Sequence, residues 1–293
     1  MNAEKYLITG ATGATGSTVV HQLLEKGHNV RAFVRKIDDR SDKLNAAGAE
    51  IVVGDLVDFH SISAAMKDIT GVYFMYPIED PGILESTAYF IQAAREERVK
   101  NIVNMSQISA RRESKSHAAQ NHWIAERILD MSGIIVTHIR PTFFAQWLLY
   151  GSASIKAQDK IVLPFGDGRF APIAAEDQGR VIAELLLQPE KYAGEIYPLF
   201  GPVEYSQYEV AEILTAELGR TITYDPISIG AFQKIAAESK KYTAHFIQHI
   251  SAVAQDCRDG LFAGTGTAVK DITGQEPMGV KAFIHKHIHA FQK

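Results

Sequence analysis

The chain is poor in cysteine, since Cys257 is the only one among its 293 residues. A lone cysteine excludes an intramolecular disulfide, and the cysteine usage does not indicate an oxidising compartment. No apolar run approaches the roughly 18 residues of a membrane span. Because the first predicted strand begins within about five residues of Met1, we expect no signal peptide. These absences predict a cytoplasmic protein without a membrane partner.

A strong charge of either sign is also missing. The formal net charge is −4 and the pI is about 6.3, so the chain has no general attraction to nucleic acid or to an anionic membrane. A nucleic-acid role would need a local basic patch, and Arg111, Arg112 and Lys115 are too few to form one. We therefore expect no nucleic-acid partner.

Several kinds of catalytic site are absent from the sequence. It contains no phosphate-transfer loop and no G-x-S-x-G nucleophile turn. His245 and His249 stand at helical spacing, but no glutamate follows His245 as it does in the zinc pattern H-E-x-x-H. Zinc would also need a third ligand, which the sequence does not place. We expect no metal site.

The most informative segment lies near the start of the chain. Residues 6–9 predict a short buried strand, and residues 17–24 carry apolar side chains at helical spacing. Between them, Gly10, Gly13 and Gly16 form the pattern G-x-x-G-x-x-G. Such a turn brings the backbone close to a ligand, and the free N–H groups of the next helix favour an anion, for which a pyrophosphate fits best. The predicted phosphate-binding residues are Gly10, Thr12, Gly13, Ala14, Thr15 and Gly16.

The end of the second predicted strand, residues 28–35, decides between two cofactors. In a dinucleotide fold this position meets the adenosine ribose, where a carboxylate selects NAD. Arg35 and Lys36 stand there instead, and a guanidinium can bind a 2′-phosphate in a bidentate manner. The sequence therefore predicts NADP(H) in preference to NAD(H). The alternative is that both cations are solvated and are neutralised by Asp38 and Asp39, which follow at once.

Short apolar strands alternate with amphipathic helices through the first half of the chain. The composition, with 46% hydrophobic and 22% charged residues, is that of a globular protein. The alternation predicts a Rossmann-type, doubly wound parallel sheet in the order 3-2-1-4-5-6. We expect a dinucleotide-binding domain at residues 1–150, to which residues 174–200 return. A smaller, mostly helical lobe at 151–173 and 201–293 would bind the substrate.

Several motifs spread along the chain occur together in one known family. They are the glycine turn, the strand ends Val34-Arg35 and Gly54-Asp55, the segment Arg140-Pro141-Thr142-Phe143 and the turn Phe165-Gly166-Asp167-Gly168. With these motifs and a helical C-terminal lobe, the chain resembles the NmrA-like branch of the atypical short-chain dehydrogenase/reductases, particularly the triphenylmethane reductase and quinone oxidoreductase type. The resemblance implies that Asp55 and Leu56 lie against the adenine. Asp55 could instead cap the following helix, as could Asp58.

The resemblance also implies which residues face the nicotinamide. They follow the carboxyl ends of parallel strands, where such folds bind ligands. These residues are Met75, Tyr76, Pro77, Ser106, Gln107 and Pro141.

The chain departs from the short-chain dehydrogenase pattern at the proton donor. That pattern has a Tyr-x-x-x-Lys pair on the helix after strand five, where the lysine lowers the pKa of the tyrosine. With Glu126 as the anchor of the helix register, the tyrosine position falls at Ala118 and the lysine position at His122. His122 is the candidate catalytic residue, because it could hydrogen-bond the nicotinamide ribose or act as a weak acid. The alternative is that it simply packs on the helix face.

The missing tyrosine favours a substrate that needs no strong proton donor. Hydride addition to a quinone gives a stabilised anion that water can protonate, whereas a simple carbonyl needs a donor more urgently. We therefore predict an NADPH-dependent oxidoreductase that reduces a quinone-like or other electron-poor, small aromatic substrate by hydride transfer. The predicted substrate-binding residues are Ile78, Phe143, Phe144, Trp147 and Phe165.

Two other functions stay open on the sequence. Other NmrA-like proteins bind a dinucleotide as redox sensors and regulate a protein partner, and the loss of the tyrosine–lysine pair suits that role equally well. A nucleotide-sugar epimerase is disfavoured, because that chemistry relies on the missing tyrosine. The sequence also leaves open whether the chain forms a homodimer or, as a sensor, binds a protein partner.

Overall fold

The computed structural model of the protein describes residues 4–293. Residues 1–3, which the predicted dinucleotide domain includes, lie outside the described residues. In chain order the strands are β1 (Lys5–Ile8), β2 (Asn29–Val34), β3 (Glu50–Val53), β4 (Gly71–Phe74), β5 (Asn101–Met105), β6 (Ile135–Pro141), β7 (Lys160–Leu163), β8 (Arg169–Phe170), β9 (Ile196–Leu199), β10 (Tyr205–Ser206) and β11 (Thr223–Pro226).

The centre of the molecule is a seven-stranded parallel sheet with the order β3-β2-β1-β4-β5-β6-β9. This confirms the predicted order of the first six strands and adds β9 beside β6. Successive side chains of a strand point to opposite faces, so in β1 Tyr6 and Ile8 join the core on one face and Leu7 joins the core on the other. Both faces are buried under helices, as parallel sheets require.

Helices cover both faces of the sheet and make up much of the C-terminal half of the chain. They are α1 (Ala14–Glu25), α2 (Asp39–Ala46), α3 (Phe59–Met66), α4 (Ile83–Glu96), α5 (His117–Asp130), α6 (Trp147–Tyr150), α7 (Ser152–Gln158), α8 (Ala175–Leu187), α9 (Gln207–Leu218), α10 (Ile229–Ser239), α11 (Ala244–Arg258), α12 (Ala268–Thr273) and α13 (Val280–Lys286), with 3₁₀ turns at Pro189–Tyr192 and Ile288–Ala290. Side chains of α1 and α8 form the core on one face, and those of α3, α4 and α5 form it on the other. Within residues 4–293, no helix has the length and apolarity needed to cross a membrane.

The chain returns to the central sheet late in the sequence, at α8 and β9. Helix α8 packs closely on α1, because a Cβ at Gly179 would stand 2.5 Å from Cβ of Thr18. The N–H of Thr142, just after β6, donates to the Leu199 carbonyl of β9 at 3.0 Å. Helix α8 therefore packs on the central sheet, and β9 pairs within it. The division into two functional lobes stays a prediction.

The remaining strands pair differently from what neighbouring positions in the sequence suggest. Strands β7 and β8 are close in the sequence but do not pair with each other: β7 pairs in parallel with β11, and β8 pairs antiparallel with β10. Strand β11 begins at Thr223, because the N–H of Ile222 donates to Oγ1 of Thr215 at 2.8 Å and does not enter the ladder. Side chains from α9, α11 and α13 enclose a third core around Phe143.

Candidate functional site

The glycine turn after β1 uses each glycine for a different reason. Gly10 has a φ of +57°, in the left-handed region that favours glycine, and a Cβ there would overlap the Met75 methyl group. At Gly16 a Cβ would overlap the Gly10 carbonyl, so this glycine lets the helix start against the turn. Gly13 has an ordinary extended backbone, and its Cβ would meet only the Gly10 oxygen, at 3.2 Å. Gly13 therefore keeps the space above the turn clear.

Helix α1 begins at this turn without a cap from the protein. Gly13 offers no side chain, and the first turn of the helix carries no acidic residue. The N–H groups of Ala14, Thr15 and Gly16 belong to the first turn, where an α-helix has no internal acceptor for them. They and the positive end of the helix dipole suit an anion. The residues present therefore fit the phosphates of a dinucleotide.

A groove with a volume of about 280 Å³ opens beside the turn. Of the predicted cofactor-binding residues, those that line it are Gly10, Thr12, Arg35, Leu56, Met75 and Pro77. The lining residues that the sequence did not predict are Phe33, Val34, Gly54, Glu79 and Asp80. Among the predicted cofactor-binding residues that do not line it, Gly13, Ala14, Lys36 and Asp55 are exposed. The structure thus brings the carboxyl ends of β1, β2, β3 and β4 together around one concave surface.

Arg35 stands at the rim of this groove, opposite an acid that the sequence did not predict. Its guanidinium Nη2 lies 3.4 Å from Oδ2 of Asp80, and the Arg35 side chain is 70% exposed. Asp38, expected as a neutralising neighbour, is instead the N-cap of α2, and its carboxylate accepts hydrogen bonds from Arg40. The charge partner of Arg35 therefore comes from the loop after β4.

Two aspartates after β3 divide the roles that the sequence left open. Asp58 caps α3, accepting hydrogen bonds from the N–H groups of His60 and Ser61. Asp55 accepts from the Val57 N–H at 3.1 Å and so shapes the turn before the helix. Capping is thus done by Asp58, and the adenine role of Asp55 stays a prediction.

On the nicotinamide side, Tyr76 is committed to a structural contact. Its buried hydroxyl donates to the Pro81 carbonyl at 2.8 Å, and burial raises its pKa. Gln107 is held by the Ser109 hydroxyl, which donates to its Oε1 at 2.6 Å. Its buried Nε2 and the buried Oγ of Ser106 have no hydrogen-bond partner among residues 4–293. Ser106 and Gln107 therefore keep free polar atoms at the carboxyl end of β5, whereas the Tyr76 hydroxyl does not.

His122 lies inside α5 and is only 5% exposed. Burial lowers its pKa to about 3, and the nearby His249 adds to this shift. The imidazole is therefore neutral at neutral pH, which disfavours a role as a charged acid and leaves a neutral hydrogen bond as its catalytic option. Nδ1 of His122 finds no partner within the part of the chain that the structure describes. The side chain lines a cavity of about 10 Å³, together with Tyr76, Ile78 and His245.

The predicted substrate residues are spread over three environments. Phe143 is buried in the third core, stacked on Phe262 with ring centroids 4.2 Å apart, and Phe165 is buried beside it. Trp147 is half-buried and meets Phe143 edge to face. Phe144 is half-buried against the sheet core, and Ile78 lines the small cavity near His122. The structure thus does not gather these residues around one open pocket.

The chain matches a known protein family over most of its length. The family model of the NmrA-like family matches residues 2–281 of the chain. The chain belongs to the NmrA-like family. This confirms the resemblance found in the sequence.

Three members of the comparison show how far the similarity extends. An NAD(P)H azoreductase of Xenophilus azovorans is 28% identical over 289 residues, which are 97% of this chain and 98% of the relative. A solved NADPH-dependent quinone oxidoreductase of Escherichia coli, complexed with NADPH, has a TM-score of 0.85 and 21% identity, covering 97% of this chain and 99% of its own. The negative transcriptional regulator Nmra, in complex with NAD, has a TM-score of 0.78 and 12% identity, covering 96% of this chain and 94% of its own. At these identities the two solved structures show a shared fold.

This NmrA-like chain also contains a buried ion pair that sequence reasoning missed. Glu126 on α5 is fully buried, and its carboxylate accepts from Nε of Arg140 on β6 at 2.9 Å. Glu126 lies in the predicted helix and Arg140 in the family motif, and neither position indicates the other. Only the packing of α5 against the sheet could have linked them. The pair fixes α5, and with it His122, relative to the carboxyl end of β6.

Among residues 4–293 no group of three or more histidine, cysteine, aspartate or glutamate side chains could hold a metal ion. His249, one of the residues tested against a zinc pattern, instead bonds through Nδ1 to Oγ of Ser116 at 2.7 Å. That contact packs α11 against the start of α5.

Proposed function

We propose that this NmrA-like protein is an NADPH-dependent oxidoreductase that reduces a quinone-like or other electron-poor aromatic substrate by hydride transfer. The observation that carries the proposal is the uncapped start of α1 at the glycine turn, opening on a groove whose far rim carries Arg35. Such a start suits the phosphates of a dinucleotide. When bound, NADPH supplies the hydride, and the protein supplies binding and orientation.

Arg35 supports the preference for NADPH over NADH. Its side chain is exposed at the groove, and within residues 4–293 its one ion-pair contact is that of 3.4 Å to Asp80. An exposed pair of this kind contributes about 0–1 kcal/mol. A dianionic 2′-phosphate is a stronger partner for a guanidinium, because it offers bidentate, charge-assisted hydrogen bonds.

The proton chemistry supports an electron-poor substrate. Ala118 occupies the tyrosine position of the usual pair and cannot donate a proton. His122, at the lysine position, is neutral because burial lowers its pKa to about 3. A substrate whose reduced form is a stabilised anion can take its proton from water. The names of two similar proteins, an azoreductase and a quinone oxidoreductase, support the same substrate class.

The proposal is tested by mixing the purified protein with NADPH and a panel of small quinones and following cofactor absorbance. We expect quinone-dependent NADPH oxidation that disappears in a folded Gly13→Val variant. NADPH oxidation that persists in that variant would place the reaction outside this groove. Failure of every quinone and azo compound tested, with NADPH bound, would remove the substrate class.

A redox sensor that regulates a protein partner is the second candidate. Two observations favour it, namely the absence of a charged proton donor at Ala118 and His122 and the shared fold with the regulator Nmra. The same titration separates the two candidates. Tight dinucleotide binding without turnover on any acceptor supports the sensor, and a homodimer or a partner protein would then be sought by cross-linking with and without NADPH.

A further inference from the structure

The groove carries one exposed contact between opposite charges, and it joins two different strand ends. Arg35 follows β2, and Asp80 belongs to the loop after β4. Their charged atoms, Nη2 and Oδ2, stand 3.4 Å apart, with the Asp80 side chain 41% exposed. Both residues line the same groove. A ligand oxygen that bonds Arg35 therefore comes within reach of the Asp80 carboxylate.

Two hydrogen bonds from side chains hold the loop that carries Asp80. The Tyr76 hydroxyl donates to the Pro81 carbonyl at 2.8 Å, and the Thr243 hydroxyl donates to the Glu79 carbonyl at 3.0 Å. Gly82 ends the loop with a φ of +128° and leaves room for the Tyr76 hydroxyl, which a Cβ would approach to 2.5 Å. These contacts flank Asp80 on both sides. The carboxylate therefore faces Arg35 because the loop is anchored there.

The carboxylate next to Arg35 and Lys36 in the sequence is not the one that faces Arg35. The acid nearest in sequence, Asp38, is used by the cap of α2 and by Arg40. In dinucleotide folds a carboxylate beside the adenosine ribose accepts from the 2′-hydroxyl of NAD, whereas an arginine takes the 2′-phosphate of NADP. Here an arginine and a carboxylate stand side by side, but the carboxylate comes from another strand end.

We propose that Asp80 and Arg35 together make a dual-cofactor selector, in which Asp80 accepts a hydrogen bond from the 2′-hydroxyl of NADH and Arg35 binds the 2′-phosphate of NADPH. This inference rests on the proposed dinucleotide site. With NADPH, Arg35 exchanges Asp80 for the phosphate, and the carboxylate opposes the added negative charge. With NADH, Arg35 stays on Asp80 and orients the carboxylate towards the ribose. Asp80 thus weakens NADPH binding and strengthens NADH binding.

The decisive variant is Asp80→Ala, with dissociation constants for NADPH and NADH measured by fluorescence titration. We expect the NADPH constant to fall about threefold to fivefold, since a weak exposed ion pair and a repulsion are removed. The NADH constant should rise about threefold to tenfold, since a hydrogen bond to a charged acceptor is lost. These changes have opposite signs, whereas damage to the fold would weaken both cofactors together.

Two controls sharpen the test. Glu79→Ala removes the neighbouring charge of the same groove and leaves the backbone carbonyl that Thr243 binds, so we expect NADPH to tighten by less than about twofold and NADH not to weaken. In the Arg35→Ala variant, the further change Asp80→Ala should strengthen NADPH binding by less than the threefold to fivefold expected above, because no Arg35–Asp80 ion pair is left to break.

The outcomes are distinct. If Asp80→Ala moves both constants in the same direction, or moves neither, the selector is wrong while the dinucleotide site stands. If the unmodified protein binds neither NADPH nor NADH, the proposed function itself is wrong, and the proposed selector is wrong as well.

Discussion

The two ends of the candidate dinucleotide groove are formed by different parts of the protein, one by the main chain and the other by side chains. At the phosphate end, the backbone around Gly10, Gly13 and Gly16 and the start of α1 form the surface, and no charged side chain takes part. At the adenosine end, the exposed side chains of Arg35 and Asp80 form it. A backbone surface either admits a ligand or excludes it, because it has no rotamers to adjust. A surface of side chains can be tuned by single charges, so we expect affinity to depend on the first end and cofactor choice on the second.

The largest effect is expected from a side chain placed into the backbone-built end. Gly13→Val should weaken NADPH and NADH alike by more than about 100-fold, because the new methyl groups occupy the approach of the pyrophosphate. The fold should survive, since Gly13 has φ −80° and ψ 167°, which valine adopts readily. Titration and thermal unfolding check both statements, with Gly230→Val, at an open position outside the groove, as the control. Retained affinity in the folded variant would show that the phosphates bind elsewhere.

The next effect concerns the choice between NADPH and NADH and leaves the phosphate end of the groove intact. Arg35→Glu should reverse the preference, with a change of at least about tenfold in the ratio of the NADPH and NADH dissociation constants, because hydrogen bonds to charged groups contribute about 1.5–3 kcal/mol. NADH binding itself should persist. Equal affinities of the unmodified protein for the two cofactors, or an unchanged ratio in the variant, would remove Arg35 from the selection. The Asp80→Ala titration refines the same comparison with smaller factors of opposite sign.

His122 tests whether the nicotinamide side also depends on a side chain. His122→Ala should lower quinone-dependent turnover per folded molecule by about tenfold, since the loss of one hydrogen bond of about 1.4 kcal/mol in the transition state changes the rate by that factor. The residue is buried, so we also expect a loss of about 1–2 kcal/mol in the free energy of unfolding. Asn121→Ala, at the wall of the same small cavity, is the matched control. A variant that loses stability but keeps its turnover per folded molecule assigns His122 to packing alone.

The last effect is a pH dependence of stability, which involves neither end of the groove. Burial lowers the pKa of His249 to about 4, whereas an unfolded histidine titrates near about 6.5. Below about pH 6.5 the unfolded chain therefore binds a proton that the folded chain does not, and the free energy of unfolding falls as the pH is lowered towards 4. The groups facing His249 are Ser116 and the two histidines His122 and His245.

His249→Gln should flatten this dependence by about 1–3 kcal/mol between pH 7 and pH 4.5, as measured by urea unfolding. The exposed His60 provides the control variant His60→Gln, which should leave the slope unchanged. A slope that is the same in both variants would show that α11 does not depend on a neutral His249.

The difference between the end of the groove built from backbone and the end built from side chains also explains which features the sequence could predict. The glycine turn and the order of the first six strands were predictable, because backbone conformation and strand burial leave glycines and apolar runs at fixed spacing. The pairing of Arg35 with Asp80 was not, because it depends on how two loops approach after the sheet has formed. The sequence suggested Asp38 as a partner, but local capping of α2 uses that carboxylate. Tyr76 likewise could be placed near the site, whereas the contact of its hydroxyl with Pro81 follows only from the loop.

The late strand β9 has a consequence for how the protein is made. Strand β6 can complete its outer ladder only when residues 196–199 have been synthesised, since His138 and Thr142 donate to carbonyls that flank and end β9. Until then the nascent sheet presents an open, hydrogen-bonding edge, a feature that invites pairing between chains. A fragment ending near residue 150 should therefore aggregate on expression, and one ending after β9 should be more soluble.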